Sequence, residues 1–351
     1  MKVLLSGITI AVALLLATAP SLSSITPVLA QSYENLVEQI NTQSAENIED
    51  GSFAINFARN LAEFTDSSFN TLTQTNDQSI SDVTDESLAA NVGINRATFE
   101  FSDTNTVGQT NDQDIEGVGD PSLAANVGIN NAEFDNANNN LVDQSNEQGI
   151  KDVTDDSLAA NIGVNNAELS FSDNNDVDQS NVQEIEDVSK GSLAANIGVN
   201  NAIIDDSIIT ADQTNNQGIE DVSKGSEAAN IGINNLESTS GTENEVTQSN
   251  DQGIEDVSKG SEAANIGVNN ADLGIDEDEN GSDNNNVEQS NDQDIKDVSK
   301  GSSAENEGVN NAEFHNSDNN DVGQSNDQEI EDVEKGSSAE NDAGNSVSFD
   351  E

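Results

Sequence analysis

An all-β chain, wound as a two-sided parallel β-solenoid of about nine cross-β-like coils with Asn and Gln ladders, is the architecture this sequence predicts. Three observations predict it. First, a unit such as Val107–Ala132 recurs nine times at a spacing of 34 or 35 residues, lengthened once, as in arrays whose units fold against their neighbours. Second, each copy holds two half-units, V-x-Q-x-N-x-Q-x-I and A-x-N-x-G-x-N-x-A, whose two-residue alternation is that of a strand. Gly and Asn inside both half-units argue against helix. Third, the amide positions are never replaced: Gln39 to Gln324, Asn41 to Asn326, Gln43 to Gln328, Asn56 to Asn341 and Asn60 to Asn345 are complete columns.

The amides explain why such columns should be all-or-none. Folding a copy back at the arc between its half-units sets Val107 against Ala132, Gln109 against Asn130, Asn111 against Gly128, Gln113 against Asn126 and Ile115 against Ala124. A larger side chain then meets a smaller or equal one at each level, which a thin packed interior needs. Stacking copies about 4.8 Å apart places like amides above one another, where they bond along the axis as in cross-β cores. A buried amide without that partner costs about 1–3 kcal/mol.

Composition sets limits. The 351 residues carry a net charge of -58, with no Trp and one Tyr, Tyr33. Such composition alone suits a disordered chain, but disorder gives no reason for fixed register through nine copies. The acidity disfavours nucleic acid and anionic membranes as partners and favours cations. The absence of cysteine excludes disulfides and thiolate metal sites.

In order, residues 1–30 read as a signal peptide: Lys2, an apolar run Ile8–Ala17, and Val28-Leu29-Ala30 before Gln31. The expectation is therefore an exported protein, secreted or held at the cell surface, with no membrane span after signal cleavage. Residues 31–70 form a degenerate N-terminal capping copy, rich in Phe53, Phe57, Phe64 and Phe69. Residues 71–320 hold the regular copies, with an insertion at 274–285. Residues 321–351 read as a C-terminal capping copy and tail, Ala343 standing, like Ala58 in the first copy, where the seven regular copies have Gly.

The outward positions differ between half-units. In the first they vary among Asp, Glu, Ser, Thr and Gly. In the second they are apolar in mid-chain: Leu123, Ala125, Val127 and Ile129, and again Leu193, Ala195, Ile197 and Val199. Glu227, Glu262, Glu305, Glu307, Glu340 and Asp342 replace them later. This strip is expected either to be covered by connecting segments bearing Phe99, Phe101, Phe134 and Phe171, or to serve self-association or a cell-surface or matrix partner.

Paired half-units with columns such as Gln109, Asn111, Gln113, Asn126, Gly128 and Asn130 resemble the repeats of curlins and related secreted amyloid-like β-solenoids. The resemblance covers most of the chain after residue 30 and implies a secreted structural protein of a biofilm matrix. This repeat is longer and more acidic than the curlin unit. Charged end copies act against edge-to-edge addition.

Little in the sequence suggests catalysis, and a non-enzyme is expected. His315 is the sole histidine, read as lying alone in a linker, and Arg59 and Arg96 are the sole arginines. Neither a Ser-His-Asp set nor a phosphate loop is present. Cation binding has two candidates. Asp276, Asp278 and Asn280-Gly281 open like an EF-hand calcium loop, but Val287 stands where its Glu ligand belongs. The column Asp82, Asp152, Asp187, Asp221, Asp256, Asp297 and Asp332 stacks like charges, which calcium or the nearby Lys190, Lys224, Lys259, Lys300 and Lys335 would relieve. The expected role is a structural or adhesive component of the cell surface or matrix. The alternative is an acidic calcium-binding module that folds on cation binding.

Overall fold

The computed structural model describes residues 28–30, 35–119, 121–171, 174–205, 209–239, 244–274, 284–315, 320–334 and 336–350. Nine two-stranded coils build two parallel sheets. The first strand of every copy, from Leu36–Ile48 to Asp321–Ile330, enters a nine-stranded sheet. The second strands, from Phe53–Thr65 to Ser338–Asp350, enter a ten-stranded sheet, whose extra strand is Val28–Ala30 beside Ala62–Phe64. Pairing is in register, so identical positions stack: Gln109 lies between Gln74 and Gln144, and Asn130 between Asn95 and Asn165. The longer copy keeps this register, Asn250 pairing with Asn291.

The predicted parity holds. Gln109, Asn111, Asn126 and Asn130 are fully buried between the sheets, as are Val107, Ile115, Ala124 and Ala132. A cross-section has three zones. Val107, Ala132 and Phe134 fill one end, amides and glycines the middle, and Ile115, Val118 and Ala124 the other. Apolar packing at both ends screens the amide zone from water, so its hydrogen bonds form in a low dielectric.

Strands run further than the half-units suggest, Thr106–Val118 and Leu123–Asp135 in the third coil. The extension at the first corner depends on one backbone state. Gly117 (φ 73°), Asp82 (58°), Asp152 (58°) and the rest of that column are left-handed, which reverses parity and turns Val118 inward to full burial. Only Gly, Asn and Asp adopt that state readily, and Asn47, Gly117 and seven Asp hold the column. Two further left-handed residues, such as Lys190 and Gly191 (φ 60° and 82°), then make the reversal.

One predicted placement is corrected. Phe99 and Phe134 are not in connecting segments over the apolar strip. They belong to strands and face inward, where Phe99 stacks on Phe64 at a centroid spacing of 4.6 Å and Phe134 on Phe99 at 4.7 Å. Their alternation continues from Ala97 and Ala132, two residues before, so they extend the half-unit by one inward step. Phe101 and Phe171 lie at the corner itself and are exposed.

The central glycines are required by close approach. A Cβ on Gly163 would overlap Asn181 Oδ1 and lie 3.1 Å from Asn146 Cβ, whereas one on Gly218, which faces outward, would meet nothing within 4 Å. Gly163→Ala should therefore lower stability by about 1–3 kcal/mol through overpacking. Gly218→Ala should change it by less than about 0.5 kcal/mol. Urea denaturation of the two variants, followed by circular dichroism, checks the difference.

Candidate functional site: the amide core and the outer faces

The two Gln and three Asn columns each bond without a gap along the axis. Gln74, Gln109 and Gln144 Nε2 each donate to the Oε1 of the preceding coil's Gln at 2.8–2.9 Å. The series continues to Gln324 on Gln289. The second Gln column runs alike from Gln78 to Gln328. Asn side chains donate the other way. Asn111 Nδ2 bonds Asn146 Oδ1 at 2.9 Å in the next coil, and Asn126 and Asn130 bond Asn161 and Asn165 at 3.0 and 2.9 Å. The oriented amides of the two ladder types thus oppose one another.

Bonds also cross the core, which the face-to-face pairing did not anticipate. Asn111 Nδ2 bonds Asn130 Oδ1 at 3.0 Å, so Asn130 is partnered by Asn111 as well as by its own column. Gln109 and Gln113 donate to the backbone carbonyls of Asn131 and Val127, both at 3.0 Å. Asn126 Nδ2 reaches the Gln113 carbonyl at 3.1 Å. Each amide joins the two sheets as well as successive coils.

Two further ladders hold the corners. Asn70, Asn105 and Asn140 bond in series at 2.7 and 2.9 Å, and Asn70 also bonds Ser67 of its own turn. Ser87, Ser122 and Ser157 accept the backbone N–H of Ser52, Ser87 and Ser122 at 3.2–3.3 Å. The signal for both was in the repeat. An Asn stands two residues before the Val position in all copies but the sixth, where Ile209 replaces it, and a Ser precedes the second half-unit in all nine.

The outward surfaces differ in chemistry. On the ten-stranded sheet, Ala125 and Val127 are buried and Leu123 and Ile129 half-buried, in register with Leu158, Ala160, Ile162 and Val164. The described strands all belong to the two sheets, so this face carries no third layer among the described residues. Toward the C-terminal end Ile266 is followed in its column by Glu307 and Asp342. Arg59 and Arg96 are both on this face at the N-terminal end, Arg96 3.1 Å from Glu133.

The nine-stranded sheet presents carboxylates instead. Burial pushes the Asp112 carboxyl above its ordinary value, and Glu147, Asp77 and Asp114 add to the rise. Burial likewise raises Asp178, beside Asp212, Asp143 and Asp176, and Asp292, between Asp251 and Asp327. Partly exposed pairs such as Lys151–Glu186, with Lys190–Asp155 in the connecting arc, each 2.9 Å apart, offset little of this.

Asp276, Asp278 and Asn280 lie outside the described residues. The Asp column stands at the left-handed corner position, which supplies a backbone reason for Asp there. Burial raises Asp221, with Asp187 and Asp256 adding to it. Asp256, Asp297 and Asp332 line a shallow groove with Ser258, Ser299, Lys300 and Glu334.

His315 is not alone in a linker. It ends the strand Ser303–His315, with Nε2 3.3 Å from Asp272 Oδ1 and 3.5 Å from Glu313 Oε1. Asp272 and Glu313 stack in neighbouring coils, and His315 shares their face two residues on. The linker reading ended the half-unit at Ala312 and so missed the outward pair Glu313 and His315.

No protein-family model, curated protein or solved structure matches this chain. Among the described residues, no helix is long and apolar enough to cross a membrane.

The raised carboxyls fix the sign of a pH effect. A group whose folded value lies above its unfolded value favours the fold while protonated, and that stability is lost as pH rises through the folded value. The ordinary Asp value is near 4, so stability should increase as pH falls from neutral toward that value. Asp155, lowered chiefly by its hydrogen bond with Lys190, opposes the trend. Melting temperatures across this range check the direction, and added salt at pH 7 should narrow the difference.

Proposed function

We propose that this chain is an exported, non-enzymatic β-solenoid serving as a structural or adhesive component of the cell surface or extracellular matrix. The observation that carries the reading is the contrast between its two broad faces on one hydrogen-bonded frame. One presents a mid-chain apolar strip stacked in register, the other stacked carboxylates. A flat, repeated apolar strip offers contact area without a cleft, as suits adhesion or lateral packing. The acidic face keeps the opposite side solvated and disfavours association there by like charge.

Two features of the sequence support the same reading. The apolar run Ile8–Ala17 followed by Val28-Leu29-Ala30 has the character of an export signal. The amide columns resemble those of curlins, secreted proteins of the biofilm matrix. The carboxylates are distributed by the repeat along the rod, an arrangement that serves solvation and cation attraction better than acid–base chemistry at one point.

The strip is the contact surface in this proposal. Ile129→Glu combined with Val164→Glu changes two outward, half-buried positions of adjacent coils. The variant should keep its strand signal in circular dichroism. It should also lose lateral association, seen by electron microscopy and light scattering, and attachment to apolar-coated surfaces. Association and attachment equal to those of the parent chain would remove the strip from the proposal.

A further inference from the structure

The sole imidazole of the chain stands where the carboxylate columns are closest to a ligand set. In earlier coils the position aligned with His315 is held by Thr65, Glu100, Asp135 and Ser170, and the position aligned with Glu313 by Glu63, Thr98, Glu133 and Glu168. In the eighth coil alone a histidine joins two stacked carboxylates. Nε2 of His315 and one oxygen each of Asp272 and Glu313 all lie within 4.8 Å of one another, and all three residues are half-buried.

The distances are informative. Hydrogen bonds between imidazole and carboxylate are about 2.7–2.9 Å long when charge-assisted. Here Nε2 is 3.3 Å from Asp272 Oδ1 and 3.5 Å from Glu313 Oε1. Asp272 Oδ1 is itself shielded from solvent and has no hydrogen-bond partner. Its nearest charged neighbour is the His315 imidazole at 3.3 Å, a spacing that fits two ligands of one ion better than a direct charge-assisted bond. Ligands about 2.0–2.1 Å from a tetrahedral metal are separated by roughly 3.3–3.4 Å along the edges of the tetrahedron. The separations from Nε2 are of that size.

We propose that Asp272, Glu313 and His315 form a binding site for a single divalent metal of the zinc type, water completing its shell. The donor set selects among cations. A histidine with two carboxylates suits zinc and its first-row neighbours, whereas calcium and magnesium take oxygen ligands. The location gives the ion a structural task. It ties the seventh coil, through Asp272, to the eighth, through Glu313 and His315, beside Gly274, where the long insertion begins. It also neutralises a carboxylate stack that continues to Glu237. The site is independent of the adhesive reading of the apolar strip.

The test titrates the purified full-length chain with zinc chloride by calorimetry, in about 0.15 M salt with excess calcium to suppress diffuse binding to the other acids. One zinc per chain should bind. His315→Gln and Asp272→Asn should each weaken that site by at least the roughly 10- to 100-fold that losing even a supporting residue costs. Glu168→Gln, a like column position four coils earlier, should leave it unchanged. Cobalt substituted for zinc should give visible absorption of tetrahedral intensity in the parent chain and in Glu168→Gln, but not in His315→Gln. Circular dichroism of His315→Gln should match the parent, since its side chain lies on the outer surface. Zinc binding of equal affinity in His315→Gln and the parent chain, or no stoichiometric site in the parent, would overturn the proposal. Either result would mean that the histidine only relieves charge between two acids.

Discussion

Burying an amide is favourable only if every N–H and every carbonyl lone pair finds a partner, and that constraint governs this molecule. In a repeating coil the condition is met by repetition itself. Asn111 donates to Asn146 and to Asn130, and accepts from Asn76 and Asn95. Replace one member and the penalty falls on its neighbours above, below and across. No copy is free to drift, which is why the amide columns are complete while the outward ones vary. Glycine at 128 and 163 follows from the same demand, because the amides of two coils converge where its side chain would be.

The apolar ends of the cross-section serve the amides. Val107, Ala132 and Phe134 at one edge and Ile115, Val118 and Ala124 at the other close off a space that water would otherwise enter. This division lets a chain with very few aromatic residues make an interior. The hydrophobic contribution per coil is modest, and the hydrogen-bonded middle specifies register: a shift by one residue would turn the core amide columns outward and the acids of the strand faces inward. Stability and specificity thus come from different zones of one thin layer.

Most of the architecture was legible because the physics is periodic. Alternation defined the strands, completeness of the Gln and Asn columns defined the inside, and the fading of Leu123, Ala125, Val127 and Ile129 into glutamates defined one outer face. What was missed was local or transverse. Val118 breaks the two-residue alternation, and only a left-handed residue before it restores burial. Cross-core bonds such as Asn111 to Asn130 depend on stagger between sheets, which pairing by level does not supply. Phe99 and Phe134 lie one inward step past the half-unit and were taken for linker. His315, three residues past the last alanine, was set aside for the same reason. The outer chemistry was less legible than the interior, because solvent-facing positions are under no rule as strict as amide satisfaction.

The claim beneath the fold is that side-chain amides of Gln and Asn are locked between the sheets. Hydrogen exchange of those side-chain groups, followed by nuclear magnetic resonance on nitrogen-15-labelled protein, tests it most directly. The account predicts that the amide protons of residues such as Gln144, Asn146, Asn161 and Asn165 exchange as slowly as the backbone amides of the central strands. Exchange of those side chains at the rate of free glutamine and asparagine, with the backbone still protected, would contradict it.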